Sequence, residues 1–347
     1  MRILVDITHP AHVHFYRNAI LLWREHGHDV FATARRKDIT ADLLRAYSIE
    51  FEDLGASGKG LGGLGLELAQ RVRKLRRVVR RVRPDVLTAI GGVYVAHAGW
   101  LSRKPSVIFY DTENAWISNF LTYPFCTAVC TPSCYEGWVP ASKHLTYRGY
   151  HELAYTHPNR FTPDLNVLQS FGLQAEKPFV VMRLVSWAAA HDVRDHGFTG
   201  IEAAVRDLER FARVVISSEG PLPKSLENRR LEGPQELVHH LLAFASLYIG
   251  ESATMASESA TLGTPAIFVS TSVRGYTNEQ EERYGLAFTF NHPRTAQMDA
   301  LIKGVEILSN PDTKSRWQKR RRRMIADKID VTEHIVEVVE SYGRRDH

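Results

Sequence analysis

The sequence predicts an α/β protein of two doubly wound, Rossmann-like domains that face a cleft. Short apolar runs alternate with segments whose apolar residues recur every three or four positions, a pattern typical of parallel strands connected by helices. The 347 residues exceed the usual length of one domain. Residues 155–166, YTHPNRFTPDLN, carry two prolines and few apolar side chains, which indicates a linker. We therefore expect one domain over 1–160 and a second over 161–347, whose last helix packs back on the first.

Each strand is predicted from a buried apolar run, and each helix from apolar residues on one face. The predicted strands are 2–7, 29–33, 85–90, 105–110 and 128–131 in the first domain, and 178–184, 212–217, 247–250, 265–270 and 286–290 in the second. The predicted helices include 14–25, 67–83, 199–211, 235–245 and 296–308. In parallel sheets of this kind, ligands bind beyond the carboxyl ends of the strands. The residues that directly follow each strand are therefore the first candidates for a site.

Composition indicates a globular protein of the cytoplasm. Hydrophobic residues make up 44% of the chain and charged residues 24%, which suits a large core. No stretch reaches the ~18 consecutive apolar residues of a membrane span, and the first residues, MRILVDITHP, lack the pattern of a secretory signal. The spacing of Cys126, Cys130 and Cys134 matches neither a disulfide framework nor a metal motif, so we expect free thiols.

The net charge of +5 is concentrated in the basic segment 71–83 and in KRRRR at 319–323. Such runs favour anionic partners, here nucleotide phosphates or an anionic membrane rather than nucleic acid. Apolar residues within 71–83 recur at helical spacing, so we expect them to pack on a sheet while the arginines face outward. The segment predicts a peripheral contact with the inner face of a membrane. Formation of a homo-oligomer stays open.

The stretch IGESATMASESATLGTPAIF, 249–268, predicts a phosphate-binding turn between a strand and a helix. The strand ends at Gly250 and the helix begins near Ser252. A helix start presents backbone N–H groups and a partial positive charge, which suit phosphate. Glu258 lies four residues beyond Thr254, on the same helix face, where a carboxylate suits ribose hydroxyls. Alternatively, Ser252 is a simple N-cap and Glu258 is solvated.

This stretch resembles the donor-nucleotide motif of glycosyltransferases with the GT-B fold. GESATMASESATLGTP is most similar to the motif of the N-acetylglucosaminyltransferase of peptidoglycan synthesis, and less similar to that of non-hydrolysing UDP-N-acetylglucosamine 2-epimerases. The resemblance implies that Ser252, Ala253 and Thr254 hold the diphosphate of a nucleotide sugar, UDP-linked by analogy, and that Glu258 holds its ribose. The whole chain also resembles an uncharacterised branch of this superfamily whose members open like DITHPAHVHF.

The amino-terminal stretch DITHPAHVHFYRNAILLWREHGHDV, 6–30, reads as a strand, a histidine-rich turn and a helix that ends at Gly27. The resemblance implies that His12, fifteen residues before that glycine, is the general base on the acceptor hydroxyl. Imidazole suits this proton transfer. His14 is a second candidate base, and His9 is expected on the acceptor side. A metal site on the three histidines is an alternative, which Pro10 and the helix start disfavour; purely structural histidines are another.

Further candidates follow other strands of the first domain. Gly91 and Gly92 allow a ligand to approach the backbone closely. Asp111 and Glu113 follow the next strand, and a carboxylate there would orient His12 or act as the base itself. An N-cap for the following segment is an alternative role. We therefore place Asp111 with the catalytic residues, and Gly91, Gly92 and Glu113 on the acceptor side.

In the second domain, polar residues also follow the strands. Arg183 and Ser186 follow one, and Ser218 and Glu219 follow the next. The Arg183 guanidinium suits a diphosphate and would offset the charge of the leaving group, so we expect no metal and no cofactor. The resemblance implies that Glu279 and Gln280 contact the donor sugar. An exposed, charged helix start is the alternative for this pair.

The glycine-rich run LGASGKGLGGLGLE, 54–67, is not a P-loop. Gly60 stands where Ser or Thr should follow Lys59, and Asp53 stands where the first glycine is required. We expect a loop that borders the acceptor. Together with these residues, the resemblance implies a metal-independent glycosyltransferase that uses a nucleotide-diphosphate sugar in glycan or cell-surface polysaccharide synthesis, with an unidentified acceptor. The alternatives are a sugar-nucleotide 2-epimerase, whose GTRPE-like opening this chain lacks, and a non-catalytic sugar-nucleotide-binding protein.

Overall fold

A computed structural model describes residues 1–35, 39–55, 64–113, 115–185, 200–272 and 274–344, with the side chains of 64–67 left out. The chain divides into two compact units. Unit 1 comprises Met1–Arg160 and Ile329–His347, and unit 2 comprises Phe161–Lys328.

The strands and helices alternate through both units, as the hydrophobic pattern predicts. The strands are β1 Arg2–Ile7, β2 Asp29–Ala34, β3 Phe51–Asp53, β4 Val86–Ile90, β5 Ser106–Phe109, β6 Ala128–Pro132, β7 His144–Tyr147, β8 Phe179–Leu184, β9 Arg213–Ser218, β10 Leu247–Gly250, β11 Ala266–Val269 and β12 Ala287–Phe290. The helices are α1 Pro10–Glu25, α2 Thr40–Ala46, α3 Leu64–Val82, α4 Val93–Ser102, α5 Trp116–Thr122, α6 Leu153–Thr156, α7 Ile201–Leu208, α8 Val238–Phe244, α9 Ala253–Leu262, α10 Gly275–Glu282, α11 Ala296–Ser309, α12 Thr313–Asp327 and α13 Val331–Arg344. Short 3₁₀ helices cover Leu165–Phe171, Glu227–Arg229 and Gln235–Leu237.

Unit 1 is built on a seven-stranded parallel sheet in the order β3-β2-β1-β4-β5-β6-β7. Its central strands are buried on both faces; Ile3, Leu4 and Val5 are fully enclosed. The chain turns in opposite directions from β1 and from β4, so the topological switch point lies between these two strands. In doubly wound sheets the carboxyl edge at this point forms a crevice for ligands.

Unit 2 is also doubly wound, on a five-stranded parallel sheet in the order β12-β11-β10-β8-β9. Its switch point lies between β8 and β10. Helix α12 contains the basic run 319–323, and two of its arginines make hydrogen bonds within unit 2. Arg320 donates to the carbonyl of Gly285 at 2.6 Å, and Arg321 donates to the carbonyl of Thr261 at 2.7 Å. These two arginines therefore tie α12 to the rest of unit 2.

The basic segment 71–83 lies largely on α3, where its apolar stripe is buried against the core of unit 1. One expectation for this segment is wrong. Arg71 does not face outward; it is only 5% exposed, and its Nη2 donates to Asp6 Oδ1 at 2.9 Å. A carboxylate buried at the end of β1 needs such a partner, because an unpaired buried charge is costly. Within the described residues, no helix has both the length and the apolarity needed to cross a membrane.

Candidate functional site

A cavity of about 720 Å³ lies at the carboxyl edge of the unit 1 sheet, at its switch point. It is lined by the turn after β1, the start of α4, the residues that follow β5, and α5. Its lining includes Asp6, Thr8, His12, Gly91, Gly92, Tyr94, Asp111, Ile117, Ser118 and Leu121. The structure thus brings together four residues that the sequence predicts from separate strand ends: His12, Gly91, Gly92 and Asp111.

The two glycines are required by the turn from β4 into α4. Both have positive φ angles, 68° for Gly91 and 23° for Gly92, which other residues rarely adopt. A Cβ atom on Gly92 would lie 2.3 Å from Cδ1 of Ile108. Backbone rather than side chains therefore forms this part of the cavity wall, as close approach of a ligand requires.

His12 occupies the first turn of α1 and faces the cavity. Its Nδ1 lies 3.4 Å from the Thr8 hydroxyl and 3.5 Å from the Thr8 amide nitrogen. The amide N–H donates to Nδ1, whereas a ring that uses Nε2 as its proton acceptor must carry its hydrogen on Nδ1 and donate it to the Thr8 hydroxyl. The turn after β1 therefore offers a base at the switch point.

Asp111 is held ionised by its neighbours. Its Oδ2 lies 3.0 Å from Nδ1 of His151, and Thr112 Oγ1 donates to its Oδ1 at 3.0 Å. Burial alone would raise the pKa of Asp111, but His151, Thr112 and the nearby His12 outweigh it and lower the pKa to about 2. A carboxylate with so low a pKa is a weak base at neutral pH, and suits the role of an anion that stabilises a protonated imidazole.

The other amino-terminal candidates have separate positions. His9 is the N-cap of α1, and its Nδ1 accepts the Ala11 N–H at 3.2 Å. His14 is buried between Tyr47 and Tyr155, with its Nδ1 3.3 Å from the Tyr47 hydroxyl. Neither His14 nor Glu113, which is half-buried, belongs to the cavity lining. The structure therefore does not bring these three residues to the cavity with His12.

The histidines of the first turn do not converge as metal ligands. The rings of His9 and His12 are 5.8 Å apart and tilted, while His14 packs elsewhere. Among the residues that the structure describes, the group whose ligand atoms do converge is His26, His28 and Glu340, at the other end of α1, with these atoms within 4.8 Å of one another.

At the switch point of unit 2, β8 and β10 approach closely. A Cβ on Gly250 would lie 2.5 Å from the Arg183 carbonyl oxygen, so this strand end requires glycine. Glu251 follows and accepts the Val185 N–H at 2.7 Å. The loop ends after β8 and β10 are therefore joined by a charged hydrogen bond.

Helix α9 begins where the sequence predicts, with Ser252 as its N-cap. The Ser252 Oγ accepts the Met255 N–H at 3.3 Å, so this hydroxyl caps the helix as the simpler interpretation holds. Ala253 and Thr254 form the start of the first turn. The amino end of α9 therefore directs its backbone amides and its partial positive charge toward the carboxyl edge of the sheet.

Glu258 is buried, which excludes the alternative of a solvated side chain. It is 5% exposed, and its Oε1 lies 3.0 Å from Nε2 of His239, which α8 holds in the core of unit 2. Gln280 is also fully buried, and its Nε2 donates to Ser257 Oγ at 2.7 Å, next to Glu258. An exposed helix start is therefore wrong for Gln280.

The remaining candidates of unit 2 are engaged in local contacts. Arg183 Nη1 donates to Ser217 Oγ at 2.8 Å, and its Nη2 pairs with Glu219. Ser218 Oγ accepts the Gly220 N–H at 3.2 Å in the turn after β9. Glu279 pairs with Lys328 at 2.6 Å. Ser186 and the core of the glycine-rich run, 56–63, lie outside the described residues.

Three partners were missed by sequence reasoning: His151 for Asp111, His239 for Glu258 and Arg71 for Asp6. Each lies far along the chain from the carboxylate it pairs with, and none follows a predicted strand of the switch point. The one sequence signal for such a partner is a histidine or an arginine that stands on an otherwise apolar helix face or next to a run of apolar residues. That signal alone does not identify the carboxylate.

The amino-acid sequence is similar to a protein family and, over part of its length, to a glycosyltransferase. The family model described as "Protein of unknown function (DUF354)" matches residues 1–284. Over 115 residues, 31% of this chain and 29% of the relative, the sequence is 30% identical to the UDP-N-acetylglucosamine--N-acetylmuramyl-(pentapeptide) pyrophosphoryl-undecaprenol N-acetylglucosamine transferase of Colwellia psychrerythraea.

Solved structures of similar fold cover nearly the whole chain. The UDP-GlcNAc 2-epimerase of Neisseria meningitidis, bound to UDP-GlcNAc, matches with a TM-score of 0.73 and 14% identity, over 98% of this chain and 100% of that one. The spinosyn rhamnosyltransferase SpnG, complexed with thymidine diphosphate, matches with a TM-score of 0.59 and 14% identity, over 98% and 100%. The architecture is therefore the GT-B fold that the sequence predicts.

Proposed function

The chain belongs to the DUF354 family of proteins of unknown function, and we propose that it is a metal-independent glycosyltransferase. The donor is a nucleotide-diphosphate sugar, UDP-linked, and the acceptor carries a hydroxyl group. The observation that supports this proposal most is the unit 1 cavity at the switch point. His12, the ionised Asp111 and the backbone of Gly91 and Gly92 all line it.

In the proposed reaction, unit 1 serves the acceptor. The acceptor oxygen attacks the anomeric carbon of the donor sugar, and its proton passes to the His12 imidazole. The Asp111 carboxylate stabilises the imidazolium that forms, and His151 fixes that carboxylate in place. A base of this kind is what transfer to a hydroxyl requires.

Unit 2 serves the donor. The bond between the anomeric carbon and the diphosphate oxygen breaks, and the electron pair leaves with the nucleotide diphosphate. The first-turn amides of α9 and the Arg183 guanidinium offset the charge that develops on that leaving group. Glu258 and Gln280 contact the ribose and the donor sugar. Charge on the diphosphate is thereby balanced by protein groups without a metal ion.

The first experiment is a thermal-shift screen against nucleotide sugars. A donor present at ~100 times its dissociation constant should stabilise the fold by about 2.7 kcal/mol. Transfer is then tested with the donor so identified and a panel of hydroxyl acceptors, with and without EDTA. We expect equal rates in both conditions; strict dependence on added magnesium or manganese contradicts a metal-independent reaction.

The second candidate is a sugar-nucleotide 2-epimerase, because an epimerase of this fold gives the higher TM-score, 0.73. An epimerase converts its nucleotide sugar without any acceptor. NMR spectra of UDP-N-acetylglucosamine incubated with the enzyme alone therefore separate the two activities. A third candidate, a non-catalytic nucleotide-sugar-binding protein, predicts ligand-induced stabilisation with no turnover under either condition.

The proposal extends to the setting of the reaction. We assign the enzyme to glycan or cell-surface polysaccharide synthesis, on the cytoplasmic side of a membrane. The basic α3 supports a peripheral association, because most of its arginines are exposed. Size measurements in solution will establish whether the chain forms a homo-oligomer.

A further inference from the structure

Six large apolar side chains of unit 1 are exposed on α4, on α5, which packs against α4, and on one loop. They are Trp100 and Leu101 at the end of α4, Trp116, Ile117 and Phe120 on α5, and Trp138 in the loop after β6, and we call them the aromatic surface. Trp116, Phe120 and Trp138 are 73–75% exposed, and Trp100 is 58% exposed. Trp23 and Trp317, by contrast, are buried. Large exposed apolar patches on proteins mark interaction sites.

The geometry of α5 produces this exposure. Ser118 and Thr122 form the inner face of the helix and contact the Tyr110 hydroxyl at 2.9 and 3.2 Å. Trp116 and Phe120 are one turn apart and lie on the outer face. Asn119, three residues after Trp116, lies on the same side, but its amide donates to the Tyr135 hydroxyl at 3.5 Å, so the rings of Trp116 and Phe120 are the most exposed part of this face.

Ring contacts join the rest of the surface to the end of α5. Trp138 lies against Tyr123, the C-cap of α5, with ring centroids 6.1 Å apart. Trp100 lies against Phe125, with centroids 5.3 Å apart. Tyr123 and Phe125 thus connect Trp138 and Trp100 to the end of the helix that carries Trp116 and Phe120.

Basic side chains border the aromatic surface. Arg103, Lys104 and Lys143 line a groove together with Trp100 and Phe125. Arg76 on α3 reaches the Leu101 carbonyl at 3.4 Å, and Arg73 and Arg80 lie one turn to either side of it. The segment 71–83 contains eight Arg and Lys residues and no acidic residue. Glu136 is the exposed acidic residue of the loop that carries Trp138.

This combination favours one occupant. Pairing with a second copy about a two-fold axis would place one basic border against another, and like charges in register are repelled. An anionic bilayer attracts the same border, and tryptophan is enriched at the boundary between headgroups and acyl chains because its ring is apolar and its N–H is polar.

We propose that the aromatic surface docks unit 1 on an anionic lipid bilayer. The rings of Trp116, Phe120 and Trp138 insert at the headgroup boundary, while the surrounding arginines and lysines contact lipid phosphates. Ile117 lines both this surface and the cavity of His12, so docking brings the cavity wall to the membrane. The inference does not rest on the proposed reaction, because it concerns only the surface.

The test is sedimentation with vesicles of phosphatidylcholine, with and without phosphatidylglycerol. We expect binding only to the vesicles that contain phosphatidylglycerol, and weaker binding at high salt. The double substitution Trp116→Ser, Phe120→Ser should lower the partition coefficient by at least about tenfold, because two inserted rings are lost. Both side chains are exposed, so the melting temperature should hardly change.

A matched control is Met298→Ser, Ile302→Ser, an exposed apolar pair one turn apart on α11 of unit 2. This pair should bind vesicles like the wild type. Quenching of tryptophan fluorescence by lipids with brominated chains provides a second readout that is independent of sedimentation. Failure of the wild type to bind phosphatidylglycerol vesicles, equal losses in both double variants, or a dimer in solution that only Trp116→Ser, Phe120→Ser dissociates would each overturn the proposal.

Discussion

The two switch points have the same place in their sheets but differ in how their polar groups are satisfied. In unit 1, His12 and Asp111 line an open cavity of about 720 Å³, and the partners of Asp111 leave it ionised. In unit 2, the corresponding charges are paired internally: Glu258 with His239, and Arg183 with Ser217 and Glu219. Under the proposed function, unit 1 is a preformed reaction site, whereas the donor must displace protein partners in unit 2.

This difference has an energetic meaning. A preformed group acts at full strength when the substrate arrives, because no reorganisation is needed. A group held in an ion pair contributes only the difference between its new and its old partner. Substitutions in unit 1 should therefore have large effects on turnover, and those in unit 2 smaller effects on affinity.

The largest effect is expected for His12→Ala. If His12 is the base, turnover with the acceptor should fall by roughly 10²–10⁴-fold. Nucleotide affinity should hardly change, because the proposed donor residues belong to unit 2. Steady-state rates and calorimetric binding of the nucleotide measure the two quantities separately.

His9→Ala is the matched control, since His9 caps α1 without lining the cavity. It should cost some stability and little turnover. Wild-type activity should also fall at acidic pH as the base takes up a proton. Near-normal turnover in His12→Ala would remove this residue from the mechanism.

The sequence predicted the strands and the candidates that line the unit 1 cavity for the same reason. Buried apolar runs are local features, and His12, Gly91 and Asp111 directly follow such runs. Each of the ten predicted strands is present, while β3 and β7 were missed because Phe51–Asp53 and His144–Tyr147 are short and partly polar. A local run of apolar residues is therefore enough to predict a strand that is fully buried.

The partners could not be predicted, because pairing across the fold leaves no local pattern. His239 lies nineteen residues before Glu258 on another helix, and Arg71 looked like its outward-facing neighbours until the buried Asp6 was known. The candidate residues of unit 2 depend more on such pairs. The sequence could therefore identify these residues as candidates, but it could not predict their burial or their hydrogen-bond partners.

The next effect in size concerns Glu258 in unit 2. Glu258→Ala should weaken nucleotide binding by less than the roughly 1.5–3 kcal/mol of a new charged hydrogen bond, because the carboxylate already has His239 as a partner. The same change leaves His239 buried opposite a cavity, so the melting temperature should fall as well. Glu258→Gln keeps the volume and should separate the loss of charge from the loss of packing.

Glu209→Gln serves as the control, because Glu209 pairs with Arg229 elsewhere in unit 2. It should leave nucleotide affinity unchanged. Calorimetry on folded samples, verified by thermal melts, provides the comparison. Wild-type affinity in a folded Glu258→Gln variant would show that this carboxylate does not bind the ribose.

A third effect is expected on stability in unit 1. Its partners lower the pKa of Asp111 from 3.8 to about 2, so the charge contributes roughly 2 kcal/mol to folding. A lowered folded pKa means that this contribution is complete above about pH 4 and is lost as the pH falls toward 2. Asp111→Asn should therefore destabilise the protein at pH 7, and less so as the pH falls below 4.

Urea unfolding across this pH range measures the prediction, with the exposed Asp42→Asn as control. Turnover of Asp111→Asn should fall less than that of His12→Ala, because the carboxylate acts through the imidazole. A larger loss in Asp111→Asn than in His12→Ala would make Asp111 the base instead, and a stability difference independent of pH would contradict the lowered pKa of Asp111.

The smallest effect gives the sharpest test of the contrast between the units. Glu219 pairs with Arg183, and its side chain is 49% exposed. Exposed ion pairs contribute little, so removing the competing charge with Glu219→Gln should strengthen diphosphate binding by only about two- to fivefold. Ser217→Ala, which removes the other partner of the guanidinium without changing charge, is the matched control and should not tighten binding. Calorimetry with UDP and with uridine separates the effect on phosphate from that on the nucleoside: affinity should rise for UDP alone. If Glu219 instead contacts the ligand directly, Glu219→Gln should weaken binding, and the exchange of partners inferred for unit 2 would then be wrong at this position.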